Sequence, residues 1–183
     1  MKLIVGLGNP GKEYEKTRHN FGSLVIDRLV KKYEAHLKDF KKQALAAKIT
    51  LGGEETIIAK SLGFMNESGG PVAQLMHFHK MQPNDLIVIY DDIDLLYRTI
   101  RVSKNASSGG HKGVESVITS IGADFHRIRL GIGPQTKPAE EYVLEKINKE
   151  EKEKLSAIAN KAIELIEEGI TKGFEAVLGT YSV

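Results

Sequence analysis

The sequence predicts a single α/β domain in which a twisted, mixed β-sheet is flanked by helices. The chain has 183 residues, and at about 150 residues per domain this length suits one domain, covering 1–183. Short apolar segments typical of buried strands alternate with segments in which apolar residues recur every three or four positions, as in amphipathic helices. A glycine pair between two strand-like segments predicts a hairpin, so antiparallel pairs should accompany the parallel ones.

The first part of the chain predicts four strands and two helices. The strands are expected at 3–5, 44–51, 56–60 and 85–90, and the helices from 20 to the basic run after residue 30 and at 72–78. Asn20 is the expected N-cap of the first helix. The fourth strand is apolar and buried, and it ends abruptly in Asp91-Asp92-Ile93-Asp94. Carboxylates at the end of a buried strand mark a candidate functional site.

The second part predicts two further strands and a helical carboxyl-terminal region. Strands are expected at 99–102 and 127–133, and helices at 114–121, 140–143 and 150–178. A flexible glycine loop at 107–111 precedes the first of these helices. The region from about 139 to 183 is therefore predicted to be helical and to belong to the same domain.

Composition excludes several protein classes. Charged residues make up 27% and hydrophobic residues 41% of the chain, and no apolar run approaches the roughly 18 residues of a membrane span, so we expect no membrane association. The amino-terminal residues lead directly into a strand without the pattern of a secretory signal, which predicts a cytoplasmic protein. Because the chain has no cysteine, disulfides, thiolate nucleophiles and cysteine metal sites are excluded.

The net charge of +2 conceals an uneven distribution. Residues 1–138 contain 20 Lys and Arg against 14 Asp and Glu, whereas residues 139–183 contain 6 against 10. The larger segment therefore carries a net charge of +6, and the tail −4. A basic body is consistent with a polyanionic partner such as nucleic acid, although ordinary solvated lysines would give the same count.

The glycine-rich turn at 6–11 matches the dinucleotide-binding pattern G-x-G-x-x-G, so a nicotinamide enzyme is one alternative. In that pattern a helix opens inside the glycine run and its N–H groups meet the pyrophosphate. Here Pro10 removes an N–H and the helical pattern begins only near Asn20. The P-loop pattern is absent because no Gly-Lys-Ser/Thr occurs in the chain.

Polar residues fall in the loops where α/β active sites form: Asn9, residues 17–20, Asn66, Asp91 and His111. Each alone has a structural explanation, such as a turn or a helix cap. Together they suit hydrolysis of an acyl bond, because an imidazole with a pKa of about 6.5 is a natural general base and a carboxylate can orient it. His19 and Asp91 fit those roles, with water as the nucleophile and asparagine amides as oxyanion donors. An activated ester suits such a site better than an amide.

Metal sites are a weaker alternative. Asp91, Asp92 and Asp94 could hold a magnesium ion, but successive residues at the end of an extended strand point to opposite faces. His77 and His79 lie two positions apart on a predicted helix and do not share a face, so we interpret them as surface residues.

The ordered motifs in this chain resemble those of bacterial-type peptidyl-tRNA hydrolases along essentially the whole length. The matching segments are L-I-V-G-L-G-N-P-G at 3–11, Tyr14, T-R-H-N at 17–20, F-M-N-E-S-G at 64–69, D-D-I-D-L at 91–95, G-G-H at 109–111 and F-H-R-I-R-L-G-I-G at 125–133. The resemblance implies a monomeric α/β enzyme without a cofactor. Its substrate would be peptidyl-tRNA, bound by the acceptor arm and 3′ end and cleaved at the ester to the 3′ ribose.

The resemblance also implies roles for particular residues. His19 would be the general base for water, and Asp91 its orienting carboxylate. The substrate-binding set would comprise Asn9, Tyr14, Phe64, Met65, Asn66, His111 and Lys112, and the tRNA-binding set Arg101, Lys104 and Arg129.

Three segments depart from the pattern of the family. Lys112 stands where the glycine loop of the family has Asn, and residues 61–63 and 95–98 also differ. A cation beside His19 would lower its pKa, so Lys112 would either weaken turnover or contact a phosphate. These departures keep open a second function, that of a non-catalytic RNA-binding relative with the same fold. The retained His19 and Asp91 favour an enzyme.

Overall fold

The computed structural model describes all 183 residues and contains eight strands and five α-helices. The strands are β1 (Lys2–Gly6), β2 (Lys38–Phe40), β3 (Ala44–Leu51), β4 (Glu54–Ser61), β5 (Leu86–Leu96), β6 (Thr99–Lys104), β7 (His126–Gly133) and β8 (Gly179–Ser182). The helices are α1 (Phe21–Lys32), α2 (Gly69–Phe78), α3 (Lys112–Ile121), α4 (Ala139–Leu144) and α5 (Lys149–Lys172). None of the helices combines the length and apolar character needed to cross a bilayer.

All eight strands form one sheet in the order β2-β3-β4-β1-β5-β7-β6-β8. The four central strands, β4, β1, β5 and β7, run parallel, whereas β2, β3, β6 and β8 are added antiparallel to their neighbours. Central strands of this kind are apolar on both faces because helices cover both sides. The predicted α/β class with a mixed sheet is confirmed.

Helices pack on both faces of the sheet and create two hydrophobic cores. Apolar residues of α1 and α5, among them Val25, Leu29 and Ile166, cover one face in a cluster of 27 buried residues. On the other face α2 and α3 contribute Val72 and Val117 to a cluster of 16. The carboxyl ends of the parallel strands lie between these layers, where ligand sites of α/β proteins form.

The carboxyl-terminal region differs from the prediction of a helix over 150–178. Helix α5 ends at Lys172, because Gly173 takes a positive φ of 91° as its C-cap. A short 3₁₀ turn follows, and residues 179–182 form β8, which pairs with β6. The prediction of a purely helical region from 139 was wrong, since this short polar strand is defined by its pairing with β6, a contact between distant segments.

Strand β5 is longer than predicted and continues to Leu96. The prediction that it ends before Asp91 was wrong, because neighbouring β7 pairs with β5 as far as Asp92 and keeps these acidic residues extended. The short strand β2 lies in a lysine-rich segment and was also missed. It is defined by its pairing with β3.

Candidate active site

A cavity of about 630 Å³ opens at the carboxyl ends of β1 and β5. It is bounded by the loop after β1, the 3₁₀ turn that precedes α2, the glycine loop before α3, and α4. Its lining includes the predicted residues Asn9, His19, Phe64, Met65, Asn66, Asp91, His111 and Lys112. The structure therefore brings together, in one cavity, side chains that are up to 103 positions apart in the sequence.

His19 and Asp91 form a hydrogen-bonded pair at the centre of this cavity. The Nδ1 atom of His19 lies 2.9 Å from Oδ2 and 3.1 Å from Oδ1 of Asp91. An ionised carboxylate can only accept hydrogen bonds, so the proton on Nδ1 is donated to Asp91. In the neutral ring, Nε2 then carries a lone pair. His19 thus has the tautomer that a general base requires.

His111 contacts the same carboxylate. Its Nε2 lies 3.3 Å from Oδ1 of Asp91, and its ring centroid is 4.8 Å from that of His19. The Nδ1 atom of His111 accepts a hydrogen bond of 3.3 Å from the backbone N–H of Val114, as the N-cap of α3. Its proton therefore resides on Nε2 and is also donated to Asp91, which receives hydrogen bonds from two imidazoles.

The electrostatic environment keeps Asp91 ionised and makes His19 more basic. The side chain of Asp91 is 1% exposed. Burial by itself would raise the pKa of Asp91, but the charge of His19 and the hydrogen bonds from both histidines lower it overall. Burial likewise lowers the pKa of His19, yet Asp91 more than compensates and the net pKa is raised. Lys112 opposes this rise in part, in the direction expected from its charge.

A close approach of two backbones places His19 over the end of β5. His19 lies in a 3₁₀ turn, Arg18–Asn20, that runs directly into α1. At Gly22, near the start of α1, a Cβ atom would collide with the backbone carbonyl of Ile89 in β5. Glycine at this position lets the start of α1 lie against the sheet. Asp91, two residues beyond Ile89, is then within reach of His19.

Asn20 occupies the N-cap position of α1, as predicted, but its side chain makes no cap hydrogen bond. Instead, its Oδ1 accepts from the backbone N–H of Asn9 at 2.8 Å, and its Nδ2 donates to the carbonyl of Asn9 at 2.9 Å. The side chain does not cap the helix because these two backbone groups of the glycine turn bind its amide instead. Its position beside His19 in T-R-H-N was the available signal for this role.

Asn9 is held in turn by the start of the segment that precedes α2. Its Oδ1 accepts a hydrogen bond of 2.7 Å from the backbone N–H of Met65. This bond occupies the amide oxygen and leaves the NH₂ group of Asn9 as a donor for the cavity. The Met65 side chain is buried below it, whereas Asn66 is exposed at the cavity.

The aromatic residues of the predicted set lie at the edge of the cavity. Phe64 lines it and is 54% exposed. Tyr14 is not among the lining residues, but its ring packs edge-on against that of Phe64 with centroids 6.5 Å apart. Tyr14 therefore supports Phe64 instead of facing the cavity.

Helix α4 forms a wall of the cavity for which the sequence predicted no residue. Ala139, Glu140, Val143 and Leu144 line this side. Across the rim, the Nζ atom of Lys112 lies 3.2 Å from Oε1 of Glu140. Both side chains are exposed, and the ammonium group points to Glu140 and not to Asp91. Lys112 thus acts on His19 through its charge alone.

The predicted tRNA-binding residues divide between the two faces of the sheet. Arg101 and Arg129 are cross-strand partners on β6 and β7, beside Tyr90 of the cavity. Arg101 is exposed, whereas Arg129 donates through Nε to Asp92 at 2.6 Å. Lys104 lies on the other face and pairs with Asp124 at 3.4 Å. The structure therefore brings Arg101 and Arg129 together and separates Lys104 from them.

The arrangement bears on the two alternatives that the sequence left open. Asp91 contacts the histidines, whereas Asp92 contacts Arg129, so these two carboxylates do not converge on one ion. The atoms that could bind a metal together are those of His19, Asp91 and His111, all within 4.8 Å of one another. The glycine turn does not open into a helix, since α1 begins only at Phe21. It therefore lacks the helix N-terminus that binds a dinucleotide.

Comparison with known proteins agrees with the resemblance noted from the motifs. The family model described as Peptidyl-tRNA hydrolase matches residues 3–183. Peptidyl-tRNA hydrolases from Fusobacterium nucleatum and Aquifex aeolicus are each 46% identical to this chain, over 88% and 89% of its length and 85% and 86% of theirs. That of Geobacillus thermodenitrificans is 42% identical over the full length of both chains.

Solved structures show the same fold. The crystal structure of peptidyl-tRNA hydrolase from Acinetobacter baumannii at 1.00 Å resolution is 30% identical, with a TM-score of 0.87 over 100% of this chain and 96% of that one. The family predicted from the sequence motifs is therefore confirmed. By its sequence, its fold and the residues gathered in its cavity, this chain belongs to the peptidyl-tRNA hydrolase family.

Proposed function

We propose that this chain hydrolyses the ester between the peptide and the 3′ ribose of peptidyl-tRNA and so releases tRNA for reuse. The observation that carries the proposal is the His19–Asp91 pair in the cavity. In this pair Nδ1 of His19 donates to Asp91 at 2.9 Å, so Nε2 is left as an acceptor. The chain that carries this pair belongs to the peptidyl-tRNA hydrolase family. A lone pair on Nε2 can take a proton from water.

The reaction needs one proton to be moved twice. Nε2 of His19 takes a proton from water as the water oxygen forms a bond to the ester carbonyl carbon. Asp91 stabilises the resulting imidazolium. When the bond from carbon to ribose oxygen breaks, His19 returns the proton to that oxygen. The products are a peptide with a free carboxyl group and tRNA with a free 3′ hydroxyl.

The side-chain amides of Asn9 and Asn66 stabilise the negative charge that develops on the carbonyl oxygen. The NH₂ group of Asn9 is available because its oxygen is occupied by Met65. Asn66 is exposed at the same cavity. Preorganised donors of this kind stabilise an oxyanion because they need not reorient during the reaction. Met65 and Phe64, with Tyr14 behind it, would contact the peptide, and His111 would hold Asp91 in place.

The basic residues beside the cavity suit the phosphates of the acceptor arm. Arg101 is exposed next to Arg129, on the face of the sheet that carries Tyr90 of the cavity. Phosphate contacts position a nucleic acid without reading its sequence. Lys112 on the rim can reach a phosphate once it leaves Glu140. Lys104 lies on the other face of the sheet and pairs with Asp124, which makes Arg101 and Arg129 the main contacts we propose.

The oligomeric state and location that we propose, a monomer acting on peptidyl-tRNA in the cytoplasm, rest on membership of the family. Light scattering coupled to size-exclusion chromatography tests the oligomeric state. A dimer at micromolar concentration would contradict a monomer.

Release of peptide from an N-blocked aminoacyl-tRNA tests the function itself. We expect the wild type to cleave this substrate and to spare the unblocked aminoacyl-tRNA. His19→Ala should lower the rate by about 10² to 10⁴, the usual contribution of a general base. His77→Ala is the matched control, because His77 is exposed on α2 outside the cavity. Tight tRNA binding by the wild type without cleavage would instead favour the RNA-binding alternative.

A further inference from the structure

Arg18 precedes His19 in the chain, and its side chain is buried in a cluster that the reaction above does not use. The side chain is 9% exposed. Its Nε and Nη2 donate to one carboxylate oxygen of Glu151 at 3.1 and 2.8 Å. Its Nη1 donates to Oε2 of Glu145 at 2.5 Å and to the carbonyl of Tyr142 at 2.9 Å. Arg18 is thus bound to three residues at once.

Burial by itself would lower the pKa of Arg18, but its hydrogen bonds to Glu145 and Glu151 raise the pKa overall. The guanidinium group also lies over the ring of Tyr142, 4.2 Å from its centroid. The two carboxylates and the aromatic ring therefore compensate for the burial of the cation.

All three partners belong to the wall of the cavity or to its connection to α5. Tyr142 lies in α4, Glu145 is the residue directly after α4, and Glu151 lies in the first turn of α5. The backbone adds two further links, from Arg18 N–H to the carbonyl of Glu145 at 3.2 Å and from Ile147 N–H to that of Lys16 at 2.7 Å. The segment that carries His19 is therefore joined to α4 through Arg18.

Helix α4 has few other attachments. It has six residues, too few to be stable as an isolated helix, and Tyr142 is its one buried residue. The hydroxyl of Tyr142 donates to the carbonyl of Ile132 at 2.5 Å. Its remaining anchor at the rim is the exposed Lys112–Glu140 pair, and exposed pairs contribute little. Val143 also packs against the hydrophobic core and Lys137 pairs with Glu145, but the buried polar contacts of α4 are those of Tyr142 with Ile132 and those of the cluster around Arg18.

We propose that Arg18 is a positioning residue that holds α4 as a wall of the substrate cavity, at a set distance from the adjacent His19. The two neighbours face different ways, His19 toward Asp91 and Arg18 toward α4. The proposal rests on the proposed function, because it assigns α4 a part in binding the substrate. Arg18 acts through α4 and does not touch the reacting atoms.

Arg18→Lys tests this role, because lysine keeps the charge but cannot reproduce the forked contacts of the guanidinium group. We expect KM for the N-blocked aminoacyl-tRNA to rise about tenfold while kcat changes less than about twofold, the pattern for loss of binding alone. The pH midpoint of kcat should stay unchanged, since the His19–Asp91 pair is intact. A variant that is merely less well folded would lose kcat at constant KM.

Arg28→Lys is the matched control. Arg28 also joins the amino-terminal part of the chain to α5, through Asn160 at 2.9 Å and Ser156 at 2.7 Å, but it has no contact with α4. We expect its KM to equal that of the wild type. An equal rise of KM in both variants would overturn the proposal.

Glu145→Gln provides a second variant that perturbs the cluster from its more exposed side. It should raise KM in the same way, and the double variant with Arg18→Lys should raise it by less than the product of the two single effects. Independent, multiplicative effects would contradict a shared role.

Hydrogen–deuterium exchange distinguishes this proposal from the proposed function. In Arg18→Lys we expect faster exchange at residues 139–146 and unchanged exchange in α2 and α3. This readout does not require activity, so it remains decisive if the wild type fails to cleave the substrate. Uniformly faster exchange, or no change at α4, would overturn the positioning role.

Discussion

The two walls of the cavity are held in place by different interactions. The inner wall, which we define as Asn9, His19, Asn20, Met65 and Asp91, is joined by hydrogen bonds of 2.7 to 3.1 Å between largely buried groups. The outer wall is α4. At the rim it is joined to α3 by Lys112 and Glu140, whose side chains are 65% and 83% exposed.

The two walls should therefore differ in rigidity. Hydrogen bonds between buried groups are strong and leave little freedom, because an unpaired buried group is costly. Exposed ion pairs are screened by water and contribute about 0 to 1 kcal/mol. The groups that we propose move protons, His19 and Asp91, are on the inner wall. The outer wall is held by the buried cluster around Arg18 at one side but only by an exposed pair at the rim, so we expect the rim to be its more mobile part.

The largest expected effect lies at the inner wall, in Asp91→Asn. Loss of the charge leaves the imidazolium of His19 unstabilised, so kcat should fall by about 10² to 10⁴, the usual contribution of general acid–base catalysis. The pH profile gives a second readout. A general base acts when deprotonated, so kcat rises with pH through the pKa of His19. Asp91 raises that pKa, and its removal should move the midpoint to lower pH. An unchanged midpoint would show that another group is the base.

Asn9→Ala should have the next largest effect. It removes a donor to the carbonyl oxygen, which costs about 10² to 10³ in kcat in sites of this type. It also leaves the backbone N–H of Met65 without its partner, so the free energy of unfolding should fall by about 1 to 3 kcal/mol. Kinetics and chemical denaturation measure the two effects. Asn84→Ala, at an exposed turn outside the cavity, is the control and should change neither.

Substitutions at the rim should have smaller effects. Lys112 lowers the pKa of His19, so Lys112→Asn should move the pH midpoint of kcat upward with less than about 1 kcal/mol change in stability. Glu140→Gln breaks the same ion pair but keeps the lysine. It should leave the midpoint unchanged or shift it downward. Shifts in the same direction for both variants would show that the ion pair matters, and not the charge at His19.

The smallest expected effect is at the tRNA surface. In binding experiments with inactive His19→Ala, adding Arg101→Gln should reduce the slope of log affinity against log salt by about one unit, as for loss of one phosphate contact. Lys161→Gln is the comparison, because Lys161 is an exposed residue of α5 that pairs with Glu164. An equal change of slope in both variants would remove Arg101 from the proposed interface.

Much of the inner wall could be predicted from the sequence. Its residues lie in short motifs beside strand ends, and local patterns of apolar residues indicate where strands end. The outer wall could be predicted only in part. The short helix at 140–143 is predicted by the sequence, but its place at the cavity is not, because α4 has no motif of its own and contacts Arg18, whose three partners lie 124 to 133 residues later in the chain.

The α/β class, the family and the polar residues at the carboxyl ends of the strands can be predicted from the amino-acid sequence alone. They follow from local apolar periodicity and from side-chain chemistry, which depend on residues close together in the chain. Four features could be read only from the tertiary structure. Asn20 is hydrogen-bonded to the backbone of Asn9, and β8 pairs with β6. Asp91 accepts hydrogen bonds from two histidines, and Arg18 is hydrogen-bonded to α4. Each of these outcomes is a contact between distant segments, and such contacts depend on which groups the completed fold leaves without another partner.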